Sequence, residues 1–204
     1  MLRKKKSLLI FSIFFLFTGI KSFAQQLNSP LKEYVSFRQK LSNGHPEFPP
    51  GYVSNCMALL EKAKTKNDQK ELAAAYALVG MAKLRIESNP KEALGYLYNA
   101  HLIFAKASGN YDAETIEIKS ALLEIYDGSN DFEKSKVVAL DLLGYYQRDS
   151  IKYILDIAEL LNTIGNDYGF LGERMAEQEY LKRAKDILEM FHTDDKETHA
   201  RSPM

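Results

Sequence analysis

At 204 residues, 46% hydrophobic and 26% charged, the chain has enough apolar content for one soluble domain with a continuous core. Its few prolines and missing tryptophan, beside recurrent Ala, Leu, Tyr, Glu and Lys, favour helices over strands. The 27 basic and 27 acidic residues balance only formally, because Arg3, Lys4, Lys5, Lys6 and Lys21 fall in the first 24 positions and leave 22 bases against 27 acids. That mild acidity excludes a general attraction to nucleic acid or anionic lipid, and the single cysteine, Cys56, excludes an internal disulfide.

Residues 1–24 have the layout of a cleavable export signal. Arg3 to Lys6 give a positive start, and Leu8 to Ile20 form an apolar run shorter than the ~20 residues a membrane span needs. Ser22-Phe23-Ala24 then supplies small residues for a peptidase, so cleavage is expected before Gln25, with a periplasmic or secreted product that has no membrane segment after processing. Residues 25–51 are expected to hold a short helix and a Pro-rich loop. Ser29-Pro30 reads as N-cap and first helical residue, and three prolines and a glycine between His45 and Gly51 forbid a helix there.

From Tyr52 the apolar spacing is helical almost without interruption. Helices are expected at 52–65, 69–88, 91–107, 112–127, 131–147, 150–171 and 173–191, before a polar tail at 192–204 expected to be disordered. The joints are short and carry breakers: Asn67-Asp68, Asn89-Pro90, Ser108-Gly109-Asn110, Gly128-Ser129-Asn130, Asp149-Ser150 and Gly172. Joints this short make neighbouring helices antiparallel. Cys56 lies on an apolar stripe with Leu60 and Ala63, as a small buried residue would.

A period of 42 residues runs through the second half. Leu122 and Tyr126 recur as Ile164 and Tyr168, and Ser135, Ala139 and Leu142 recur as Glu177, Leu181 and Ala184. An earlier copy with Tyr76, Gly80, Ala93, Leu97 and Ala100 has one extra residue between its helices. Residues 161–188, with Leu161, Ile164-Gly165, Tyr168, Gly172, Leu181 and Ala184, closely resemble a tetratricopeptide repeat. Glu177 departs from the pattern, which prefers Ala, and Leu123 stands where the last copy has Gly165. The resemblance implies an all-α, right-handed solenoid of antiparallel helix pairs with about three to four repeats over residues 52–191. The longer period is similar to repeats in the extracytoplasmic regions of bacterial sensory and regulatory proteins.

The chemistry of an enzyme is missing from the sequence: there is no phosphate loop, no nucleophile elbow and no paired-histidine motif. No catalytic residue, cofactor or metal is therefore expected. The tyrosines sit mostly at packing spacing, and Asp131, beside a glycine turn, reads as a helix cap rather than a calcium ligand. Two functions remain open. One is an envelope scaffold that binds a protein or peptide. The other is a truncated or stand-alone sensory region related to repeat-containing histidine kinases or helix-turn-helix regulators. The resemblance implies that the first helix of each pair lines the binding groove. Residues about 200° round from the packing stripe are then candidates: Ser120 and Glu124 with Glu117 a turn earlier, Glu159, Asn162 and Asn166 on the next such helix, and Met81, Leu84 and Arg85 further back. The glutamates would favour basic ligands.

Overall fold

The computed structural model describes residues 29–44, 47–106 and 112–200, the last ten by backbone alone, and the expected export signal lies outside them. Among the described residues there are eight α-helices and no strand. They are α1 (Pro30–Ser42), α2 (Tyr52–Lys64), α3 (Gln69–Arg85), α4 (Pro90–Lys106), α5 (Asp112–Gly128), α6 (Phe132–Tyr146), α7 (Ile154–Phe170) and α8 (Arg174–Ala200). Contacts divide the chain into two units, Met1–Ser108 and Gly109–Met204. The division falls inside the stretch expected to form one repeat domain.

Four of the helices, α1, α3, α4 and α6, begin where the sequence offers a side-chain acceptor for the first free amides. Ser29 accepts from the Lys32 amide, Asp68 from the Lys70 and Glu71 amides, Asn89 from the Glu92 amide, and Asp131 from the Lys134 amide. The expected cap at Asp131 is thus present. The start of α1 is also tied to α3: the Ser29 hydroxyl donates to Glu71 Oε1 at 2.6 Å, and the Leu31 amide donates to Glu71 Oε2 at 3.1 Å.

In the first unit α3 is the central element, packed against α1, α2 and α4. Its Ala73-Ala74-Ala75 run and the stretch Ala77 to Lys83 are buried, so the helix is enclosed round most of its circumference. This corrects the expected strip of Met81, Leu84 and Arg85: Met81 is buried, Leu84 half-buried, and only Arg85 is exposed. The buried Lys83 ammonium is matched by Glu87 at 2.7 Å and Glu92 at 2.9 Å. Beneath α1, Phe37 stacks with Phe48 and Tyr52, and the Tyr52 hydroxyl donates to Glu33 at 2.7 Å. Cys56 is buried beside them, as expected. Burial first, then the Glu33 carboxylate, pushes its thiol up to about 12.

In the second unit α5, α6, α7 and α8 each pack against the next in chain order. The core there is Ala139, Leu142, Leu143, Ile157, Leu160, Leu161, Ile164 and Ala184. The 42-residue period reappears in the backbone. The Asp131 amide donates to the Tyr126 carbonyl at 2.9 Å, and the Glu173 amide to the Tyr168 carbonyl at 2.8 Å. One residue earlier, Asn130 donates to Asp127 and Gly172 to Gly169. Both helices end in this wrapped C-cap, with Asn130 and Gly172 left-handed at φ 59° and 82°. In the first unit, Ser88 (φ 51°) occupies the corresponding place, 42 residues before Asn130. There the Asn89 amide reaches back to the Lys83 carbonyl, one residue further, which absorbs the extra residue seen in the sequence.

Gly165 and Gly80 make matching contacts. A Cβ on Gly165 would lie 2.8 Å from Leu181 Cγ, and one on Gly80 2.7 Å from Leu97 Cγ. In the intervening copy the sizes are exchanged: Leu123 takes the glycine position, and the fully buried Ala139 stands in place of Leu181. Leu123 packs against the cluster that contains Ala139, so the large side chain has moved from the second helix of the pair to the first.

Two boundaries differ from expectation. The helix expected from residue 150 starts at Ile154, after a 3-10 turn (Gln147–Asp149). Here the Tyr153 amide donates to the Asp149 carbonyl, and Ile151, which had fitted the helical period, is almost fully exposed. The last helix runs to Ala200, past the expected end at residue 191.

Candidate functional site

The second unit has a groove of about 380 Å³ between α5, α6 and α7. On α5 the buried residues Ala121, Leu122, Ile125 and Tyr126 face the core, so Ser120, Glu124 and Asp127 are left along the groove at i, i+4 and i+7. On α7, burial of Ile157, Leu161 and Ile164 leaves Asp156, Glu159 and Thr163 opposite them. Leu142 and Tyr146 of α6 form the floor, with Leu123 and Leu160 at its apolar margin.

Among the described residues four carboxylates line this groove, and no Lys or Arg does. Like charges collected in a concave, partly apolar wall raise the local negative potential above that of an open surface. Burial pushes the Tyr146 phenol above its ordinary range and the Asp156 carboxylate adds to the push, against a lowering contribution from the Ser120 hydroxyl. Tyr146 is held by its neighbours, with the Tyr153 ring at 4.8 Å and Tyr145 at 5.7 Å. Among the described residues no group of three or more His, Cys, Asp or Glu side chains is placed to hold a metal ion. The arrangement suits a positively charged, extended ligand held by charge and shape.

Of the residues expected to bind a partner, Glu124 lines this groove together with Ser120 and Glu159. Asn162 does not. It sits 100° round α7 from Thr163, on the side facing α8, and lines a second groove with Glu159. Asn166 is exposed on α7 outside both grooves, and Glu117 is half-buried on α5 outside both. Arg85 belongs to the first unit. The structure thus brings together part of the expected strip and adds Asp127 and Asp156, which the sequence had not marked as groove residues. Their signal was present: Asp156 and Glu159 are one turn apart opposite an apolar stripe.

A second polar cluster lies inside the joint between α6 and α7. Asp167 and Ser135 are buried, and Asp167 Oδ2 and Ser135 Oγ have no hydrogen-bond partner among the described residues. Burial pushes the Asp167 carboxyl above the ordinary 3.8. Ser135 and Lys136 pull the other way, and Asp127 adds to the rise. Lys136 lies over the Tyr168 ring at 4.7 Å and pairs with Glu133 and Glu173, each at 3.3 Å.

A carboxyl raised in the folded state keeps a proton that the unfolded chain has already released. Stability therefore falls as pH climbs from 3.8 through the folded value. Asp167→Asn is expected to remove this decline and to be more stable than wild type at neutral pH. Urea midpoints of both proteins between about pH 4 and about pH 8 check it, and curves that stay parallel would show that the group is unperturbed.

No family model matches the chain, and no curated protein matches it either.

Proposed function

We propose that the chain is an exported, tetratricopeptide-like scaffold in the bacterial envelope, and that its second unit holds a basic peptide segment of a partner protein between α5 and α7. The observation that carries this reading is the groove with four carboxylates and, among the described residues, no basic lining residue. Glu124, Asp127, Asp156 and Glu159 are exposed and spaced along two helix faces, as suits an extended chain with several positive side chains rather than one small cation. The matched 42-residue joints support a repeat scaffold, and the polar edges of α5 and α7 supply recognition without chemistry. On this reading the protein is not an enzyme and needs no cofactor.

The test is a fluorescence-anisotropy titration with a Lys/Arg-rich peptide and its Glu-substituted counterpart. The basic peptide is expected to bind and to weaken steeply with added salt, and the acidic one not to bind. Glu124→Lys with Asp156→Lys should weaken binding about tenfold or more, equivalent to ~1.4 kcal/mol. Both side chains are exposed, so the fold is expected to survive. Equal binding of the two peptides, or unaltered affinity in the double variant, would remove the groove as the site.

A further inference from the structure

The first turns of α6 hold the ends of α5 and α7 together. Lys134 lies over the Tyr126 ring of α5 at 5.5 Å, Lys136 over the Tyr168 ring of α7 at 4.7 Å, and Phe132 stacks on Phe170 of α7 at 4.2 Å. The last turns of α5 and α7 therefore flank one short stretch of α6, and each carries an aspartate. Asp127, on α5, is exposed and lines the acidic groove. Asp167, on α7, is 1% exposed beside the fully buried Ser135, and its Oδ2 has no hydrogen-bond partner among the described residues. A carboxyl enclosed in this way favours its neutral form. Both aspartates also stand at the negative end of a helix dipole, which makes a second negative charge there still less favourable.

We infer that Asp167 is the proton switch of the groove: a ligand cation seated at Asp127 displaces the proton of Asp167, which leaves for the solvent, and the ionised Asp167 then strengthens the hold on that cation. The inference rests on the reading of the groove as a seat for a basic peptide. The charges round Asp167 support it. Asp127 of α5 repels the ionised form, in the same direction as burial. Ser135 and Lys136 of α6 favour that form, but Lys136 is already matched by Glu133 and by Glu173 from the turn before α8. Lys134 is matched by Asp131 at 2.6 Å, and on α8 Glu177 is matched by Arg174 at 2.7 Å. The repulsion between Asp127 and Asp167 is thus open to relief by a charge from outside. A proton on Asp167 and a cation at Asp127 relieve the same repulsion, so each weakens the hold on the other. Affinity for the basic ligand therefore rises with pH through the folded value of Asp167, above the ordinary 3.8, and binding releases a proton.

Calorimetric titration of the purified protein with the Lys/Arg-rich peptide, in two buffers of different ionisation enthalpy between about pH 4 and about pH 8, tests the inference. Wild type is expected to release more protons on binding than Asp167→Asn does. Its affinity should also rise about fivefold more over this range, the lower end of ordinary coupling between sites. Asp127→Asn, an exposed change, leaves Glu124, Asp156 and Glu159 to hold the peptide and should shrink the same proton release. It keeps the test decisive if circular dichroism shows that Asp167→Asn does not fold. A carboxyl that served the fold alone would alter stability and leave proton release on binding untouched. Equal proton release and parallel pH profiles in wild type and both variants would overturn the switch and leave the groove standing as the site. A peptide that binds wild type at no pH would remove the groove itself, and the switch with it.

Discussion

Gly165→Leu lowers the stability of the second unit by ~3 kcal/mol or more. Even a Cβ at this position would lie 2.8 Å from both Leu181 Cγ and Cδ2, and 3.2 Å from the Leu181 amide nitrogen. Rotating the leucine could relieve the side-chain clash. The backbone atom cannot withdraw without moving α8, and a full leucine adds three further carbons to a joint already closed. The gain in helix propensity on replacing glycine, at most ~1 kcal/mol, is too small to offset this. The double variant Gly165→Leu with Leu181→Ala recreates the pairing of Leu123 with Ala139 found one repeat earlier, and should recover at least half of the loss. Denaturant midpoints of the four proteins form a double-mutant cycle. An unshifted midpoint for Gly165→Leu, or strict additivity, would mean that the close contact does not set the helix spacing.

Phe37→Ala is expected to cost ~3–5 kcal/mol in the first unit. The ring is fully buried and lies 5.0 Å from the Phe48 ring and 5.9 Å from that of Tyr52, so truncation removes its own burial and leaves two aromatic neighbours facing a void. α1 is short and, beyond the bonds to Glu71, relies on Tyr34 and Phe37 for its burial. The buried Cys56 gives a local readout: its labelling rate by a thiol reagent should rise more than a hundredfold, as ~3 kcal/mol of lost protection requires. Labelling at the wild-type rate would mean that α1 is not needed to close this core.

Most helix spans could be read from the sequence because the apolar period is supported at one end or both by a capping residue. The 3.6-residue apolar period is joined by an Asp, Asn or Ser acceptor at the start of α1, α3, α4 and α6, and by Asn or Gly at the end of α1, α5 and α7. The start of α7 escaped that reading because Ile151 keeps the apolar period in a stretch whose backbone has already turned, and Tyr153 offers no side-chain cap. Met81 was misplaced for another reason. Its helix is apolar on nearly every side, so the stripe that marks one face in a peripheral helix marks nothing in a central one. In the groove, Ser120, Glu124 and Glu159 were legible as positions opposite a packing stripe. Asn162 and Asn166 were not resolved from the groove-lining Thr163, because a difference of 100° separates one side of α7 from another, and only the neighbouring helices decide which side meets the cavity. The burial of Asp167 and Ser135 inside one joint had no sequence signal, since neither residue breaks the helical period.

The exchange of sizes between neighbouring copies restricts how such a gene can gain or lose repeats. Recombination between copies that cuts at the joint between two pairs transfers each pair whole and preserves a leucine opposite a small residue. A crossover within a pair would join α5 to a helix like α8, setting Leu123 against Leu181, or α7 to a helix like α6, leaving Gly165 against Ala139. The first product is overfilled and the second hollow, and each would be lost at the folding step. The unit of inheritance in this array is therefore the helix pair with its size match intact, and copies with opposite size order can stand side by side but cannot exchange halves.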